Sequence, residues 1–179
     1  MMDLFWDEET GGFFYTSTEH EALVTRPRSL YDGSIPSGLS VGTSVLLRLC
    51  RLSGDSQFDG KLESIFKTYA PLMMRVPDQF ANLLCAMELK LSNGPEVVLV
   101  SAGDKDATFE PMLFALNQRF SPNKVVFIWR AGEALGDRKA LTSLLEGRKI
   151  VDGKTTAYVC QNFTCDAPIN NPKKLSEKF

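Results

Sequence analysis

The apolar residues of this chain change period at Asn93-Gly94-Pro95, and that change limits the folds open to it. Before the break, hydrophobic side chains recur at three- and four-residue steps; after it they come in short continuous runs. The first pattern belongs to amphipathic helices, the second to strands covered on both faces. Three stripes precede the break. Val41, Val45, Leu46, Leu49 and Leu52 form the first, between a start at Pro36-Ser37 and a stop at Gly54. Phe58, Leu62, Ile65, Phe66, Tyr69, Leu72 and Met73 form the second, with Pro71 expected to kink or fray its last turn. Phe80, Leu83, Leu84, Met87 and Leu91 form the third.

Beyond the break, Val97-Val98-Leu99-Val100 and Val125-Val126-Phe127-Ile128-Trp129 read as strands rich in β-branched residues. Phe109, Met112, Leu113, Leu116 and Phe120 mark a helix between them. Strand, helix, strand at this spacing predicts a βαβ unit with parallel strands. Leu141, Leu144 and Leu145 suggest a short helix, and Ile150-Val151 and Ala157-Tyr158-Val159-Cys160 two further strands around a turn at Asp152-Gly153. The polar tail, 168–179, is expected to form one helical turn or to fray. At the other end, Trp6 to Phe14 fits a short hairpin turning at Thr10-Gly11-Gly12. The class expected is α/β (or α+β): a hairpin loop and three helices in 1–93, then a small, partly parallel sheet in 94–179.

Composition removes several functions. The formal net charge is −2, with Lys and Arg scattered, so neither nucleic acid nor an anionic membrane surface is an expected partner. No apolar run approaches the roughly 18 residues of a membrane span. Met1 to Asp7 has no basic and apolar leader, so a cytoplasmic location is expected. The sequon Asn162-Phe163-Thr164 then reads as accidental. Four cysteines are too few for a disulfide scaffold. Cys50 and Cys85 sit in helical stripes and read as core hydrophobes.

The chemistry-bearing candidates are few. Cys160 and Cys165 form a C-x4-C pair, the wrong spacing for a thioredoxin-type motif and two ligands short of a zinc site. It reads as structural or idle, with thiol redox chemistry as the alternative. Asp7, Glu8 and Glu9 precede the glycine turn and read as solvated turn charges, since neighbours on a strand point to opposite faces. Ser37 reads as a helix cap, and Asp32 either orders its loop or contacts a ligand. His20 has no second histidine and reads as solvated. Ser101-Ala102-Gly103-Asp104 follows the first strand, where open α/β sheets bind ligands, but a single glycine is no phosphate fingerprint. No cofactor is implied.

Phe5-Trp6-Asp7 with Gly11-Gly12-Phe13-Phe14, then Arg26, Tyr31-Asp32-Gly33, Pro36-Ser37-Gly38 and Leu46-Leu47-Arg48-Leu49, resembles one family of large proteins. In it a thioredoxin-like domain precedes a six-hairpin-glycosidase-like (α/α) toroid; bacterial members and the spermatogenesis-associated thioredoxin-like proteins belong to it. The string from Asp152 to Cys160, with Asn162, Cys165 and Pro168, is similar to its closing segment. Leu39 stands where that family usually has Asn, and Arg28-Ser29 where it has a Lys-Glu pair.

The resemblance implies a C-terminal module that lacks the thioredoxin-like domain and most of the toroid, forming cavity wall and packing surface without activity of its own. Self-association, or pairing with the missing domains, would cover its edge helices. The alternative it implies is binding or processing of a small carbohydrate-like ligand, glycosidase- or epimerase-like if catalytic. Asp7, Asp32 and Ser37 would then be the contacts, with Arg26 holding a hydroxyl or carboxylate.

Overall fold

A computed structural model describes residues 1–21, 24–103, 106–136, 139–161 and 164–179. The chain forms two compact units, one of residues 1–50 and 54–91, the other of 51–53 and 92–179.

The first unit contains α1 (Met2–Phe5), α2 (Gly38–Ser53), α3 (Asp59–Arg75) and α4 (Ala81–Leu91). α2 begins where the Ser37 hydroxyl accepts the Ser40 N–H. It ends at Gly54, whose φ of 67° is the left-handed conformation that glycine adopts without strain. α3 runs through Pro71 to Arg75, so the expected fraying does not occur. Met73, 3% exposed, lies beyond the proline and anchors that last turn in the core. A 3₁₀ turn at Pro77–Phe80 leads into α4.

Three further expectations for this unit need correction. Trp6 to Phe14 doubles back as expected but builds no strands. Trp6 and Phe13 form a single antiparallel bridge, and α1 occupies the preceding residues. Hydrogen bonds from the Asp7 N–H to the Gly12 carbonyl and from Gly11 to Asp7, each 3.1 Å, close a tight loop too short for strands. The buried face of α2 also differs. Leu39, Gly42, Thr43, Leu46 and Leu47 face inward, whereas Val41, Val45 and Leu49 stay 41–48% exposed. Gly42 decides it, because the Phe13 ring lies where a Cβ would stand. A helix with apolar residues on two faces buries the one with a surface that fits its neighbour. Cys85 is exposed and Cys50 half-buried, so Cys85 is not a core residue.

The second unit is a four-stranded mixed sheet in the order β2-β1-β3-β4: β1 (Glu96–Ser101), β2 (Val125–Arg130), β3 (Thr156–Gln161) and β4 (Thr164–Cys165). β1 and β2 are parallel and joined through α5 (Phe109–Asn117), the expected βαβ unit. β3 runs antiparallel to β1 on its other side. Val97 to Val100 are fully buried because β1 is central and covered on both faces. One face packs Val97, Leu99, Ala157 and Val159 against Met112 and Leu116 of α5 and Leu175 of α7 (Pro172–Ser176). The other packs Val98, Val100 and Tyr158 against Leu144 and Leu145 of α6 (Thr142–Leu145). The tail is therefore anchored, since Leu175 has no exposed surface.

The expected strand at Ile150-Val151 is a single bridge between Val151 and Lys154. The turn it flanks is as read. Asp152 and Gly153 have φ of 53° and 67°, and the Lys154 N–H returns to the Val151 carbonyl at 3.1 Å. No helix among the described residues is long and apolar enough to cross a membrane.

Candidate functional site

The loop ahead of α2 brings Asp32 and Ser37 together. Asp32 Oδ1 accepts the Ser37 N–H at 2.8 Å, and Oδ2 accepts the Asn82 N–H, also at 2.8 Å. Its own N–H donates to the Gln79 carbonyl. Asp32 thus ties the start of α2 to the start of α4, using both oxygens on backbone donors that helix ends leave unpaired. Burial acts to raise its pKa, but the Ser37, Ser40 and Asn82 hydrogen bonds outweigh it and hold the carboxyl below its ordinary value. The Ser37 hydroxyl accepts the Ser40 N–H at 3.1 Å and contacts the Ser40 hydroxyl at 2.9 Å. Both side chains are occupied as caps.

Asp7 and Arg26 lie in the N-terminal loop and have different partners. Asp7 is 3% exposed, unlike the solvated turn charge expected of it. Its carboxylate accepts the Glu9 N–H at 3.0 Å and the Thr10 hydroxyl, and pairs with Arg28. Burial would raise its pKa; the Thr10 and Glu9 hydrogen bonds and the Arg28 charge bring it below the ordinary value. Glu8 points outward to Lys61 at 2.9 Å. Arg26 donates from Nη2 to the Leu4 and Thr16 carbonyls at 3.1 and 2.7 Å, with its guanidinium 4.0 Å from the Phe14 ring centre. His20 is exposed, as read.

Beside this loop lies an apolar groove of about 310 Å³, lined by Phe5, Phe13, Phe14, Tyr15, Val41 and Val45, among others. Asp7, Arg26, Asp32 and Ser37 do not line it. Leu39 is fully buried in the core.

In the second unit, Cys160 and Cys165 are directly opposed across β3 and β4 and joined by a disulfide. The two sulfurs are therefore bonded to each other rather than present as free thiols. A second cleft, about 480 Å³, opens at the C-terminal ends of the parallel strands, lined by Ser101, Gly103, Asp106, Phe109, Arg130 and Glu133 with others. Asp104 of the expected ligand loop lies outside the described residues, as do Asn162 and Phe163 of the sequon. Asp106 is committed to structure. It accepts the N–H groups of Thr108 and Thr155 at 2.9 and 3.0 Å and the hydroxyls of both threonines. Burial opposes ionisation, yet these hydrogen bonds lower its pKa to about 2.

Sequence reasoning assigned no partner to three residues that the fold uses: Asn82, Arg28 and Arg148. Asn82 contributes only its backbone N–H, which leaves no trace in side-chain chemistry. Arg28 is Asp7's partner 21 positions away, and nothing local marks it. Arg148 reaches both disulfide sulfurs.

The chain is similar to spermatogenesis-associated protein 20 over almost its whole length. It is 29% identical to the human protein over 174 residues, covering 96% of this chain and 22% of that protein. Identity to the rat and mouse proteins is 29% and 28%, each over 178 residues with the same coverage. The chain therefore spans about a fifth of the length of the curated relatives it matches. No protein-family model matches it. No solved structure matches it.

Proposed function

We propose that this chain is a non-catalytic module of a larger protein of the spermatogenesis-associated protein 20 kind. In that reading a thioredoxin-like domain and a six-hairpin-glycosidase-like toroid make up the rest, and this C-terminal module supplies cavity wall and packing surface. The observation that carries it is the double capping by Asp32, whose two oxygens are both engaged by backbone N–H groups. The residue best placed by sequence for ligand contact serves helix starts instead. The exposed stripe of Val41, Val45 and Leu49, beside the aromatic groove, supplies the packing surface. Its occupant is further helical sequence of the same polypeptide, which the roughly fivefold greater length of the relatives supports.

Thermal denaturation in the presence of millimolar mono- and oligosaccharides tests this reading. No sugar is expected to raise the melting temperature, and Asp32→Ala should lower it in the unliganded chain. A sugar that stabilises the wild type, with Asp32→Ala abolishing that response at unchanged melting temperature, would replace the module by a carbohydrate-binding protein. Val41→Asp with Val45→Asp should leave this chain folded while lowering the yield of the longer protein; equal yields would remove the packing role.

A further inference from the structure

The two sulfurs of the Cys160–Cys165 pair are not equivalent. Cys160 is 5% exposed in β3, whereas Cys165 is exposed on the short edge strand β4. One guanidinium serves both. Arg148 Nη2 donates to Cys160 Sγ at 3.2 Å and to Cys165 Sγ at 3.3 Å. Arg148 is held in place by the fold. Its N–H donates to the Leu145 carbonyl at 3.1 Å. Its neighbour Lys149 has both backbone groups on the Tyr158 hydroxyl, at 2.9 and 2.7 Å, and Tyr158 lies two residues before Cys160.

A guanidinium is a permanent cation with donors only, so a neutral disulfide is a weak partner for it. A thiolate is a strong one. The neighbouring carboxylates are already matched. Glu96, opposite Cys160 on β1, pairs with Arg51 at 3.3 Å, and Asp166, next to Cys165, pairs with Lys178 at 2.7 Å. The Glu96 charge also acts on Arg148, but the Arg148 Nη2 hydrogen bonds go to sulfur, so its interaction with the pair strengthens when the disulfide is reduced.

We propose that Cys160–Cys165 is a reversible thiol–disulfide exchange site acting on dithiols, with Cys165 Sγ attacked, Cys160 leaving as thiolate and Arg148 stabilising that thiolate. A thiolate of the dithiol attacks the exposed Cys165 sulfur, forming a mixed disulfide and breaking the Cys160–Cys165 bond. The bonding pair leaves on Cys160 beside Arg148. The second thiol of the dithiol then attacks its own sulfur in the mixed disulfide, releasing Cys165, which takes up the second thiol's proton. Two electrons pass: the dithiol becomes a disulfide and the protein pair is reduced. The reverse direction consumes an external disulfide. The module reading does not depend on this site, and either can fail alone.

The test uses dithiothreitol and glutathione disulfide on the folded chain, with maleimide labelling read by mass. Dithiothreitol should expose two thiols, Cys160 and Cys165, while the circular dichroism spectrum stays native, and an external disulfide should close them again. With glutathione disulfide, Cys160→Ser should form a Cys165 adduct at least about tenfold faster than Cys165→Ser forms one on Cys160. Arg148→Met should slow reduction about tenfold and raise the pH midpoint of Cys160 alkylation in Cys165→Ser by about one unit, with Arg148→Lys intermediate. A pair that stays oxidised in dithiothreitol, or is never oxidised by glutathione disulfide, would overturn the site. Equal adduct rates would overturn the assigned order of attack. An unchanged midpoint in folded Arg148→Met and Arg148→Lys would remove Arg148 from it.

Discussion

Asp32 reaches across fifty residues of sequence to accept the backbone N–H of Asn82 at 2.8 Å, while its other oxygen caps the entry to α2. One carboxylate thus holds two helix starts in register. Each lost cap costs about 1 kcal/mol, so Asp32→Ala is expected to destabilise by about 2 kcal/mol. For a chain of this size that corresponds to a fall in melting temperature of about 4–8 °C. Asp32→Asn, which keeps one acceptor, should lose about half as much. Asn82→Ala should change little, because Asn82 offers only its N–H. Scanning calorimetry of the three variants checks the ordering, and an Asn82→Ala effect as large as that of Asp32→Ala would refute it.

Acid should release the loop between β1 and α5. Asp106 has its pKa lowered from 3.8 to about 2 in the folded chain, the hydrogen bonds from Thr108 and Thr155 overcoming burial. A depressed carboxylate pKa adds stability that is fully present above the unfolded value and lost as pH falls through the folded one. The loss is therefore expected between about pH 4 and pH 2, on the order of 1–2 kcal/mol. Asp7 and Asp32 are shifted in the same direction and add to the slope. Urea midpoints across that range, for wild type and Asp106→Asn, test the assignment. The variant should be less stable at pH 6 and show a shallower decline.

Arg26 should behave as a clamp on the N-terminal segment. Its Nη2 bridges the Leu4 and Thr16 carbonyls, and its ring partner is Phe14. Lysine offers a point charge in place of the planar fork and stacks less well. Arg26→Lys and Arg26→Met should both speed amide exchange at Tyr15 and Thr18, whose N–H groups bond to Pro27 and Leu4. The expected acceleration is about tenfold, the loss of one hydrogen bond to a charged group. Unchanged exchange at both amides would show that the guanidinium holds nothing.

The architecture was legible where period and composition agree. The βαβ unit followed from two β-branched runs around a helical stripe, because a buried parallel pair admits little else. The α2 face was not legible. Val41, Val45 and Leu49 make as good a stripe as Leu39, Leu46 and Leu47, and the choice depends on Phe13 meeting Gly42, a contact between distant residues. The Asp7 environment failed for the same reason, since burial and pairing with Arg28 are set by tertiary packing. Asp32 was marked as special by its place before Pro36-Ser37-Gly38, but its second partner is a backbone amide that no side-chain pattern announces. Local chemistry is written in neighbouring residues; partner choice across the fold is not.

The break at Asn93-Gly94-Pro95 carries a last expectation. A Cβ on Gly94 would overlap the carbonyl of Asn123. That backbone has little room to yield, because Arg51 donates to the carbonyls of both Gly94 and Asn123 and pairs with Glu96 at 3.3 Å. The Val125 N–H also holds the Pro95 carbonyl at 3.0 Å, just where β1 and β2 begin to pair. Relief must come from moving one strand start against the other. Gly94→Ala is therefore expected to cost about 1–3 kcal/mol, the range for overpacking a closed contact. Gly60→Ala is the matched control. Gly60 lies inside α3, where an added Cβ would meet nothing within 4 Å, so alanine should gain up to about 1 kcal/mol in helix propensity. Opposite signs in the urea midpoint, at unchanged denaturant slope, would tie the first loss to the strand junction; a neutral Gly94→Ala would mean that the junction gives way freely.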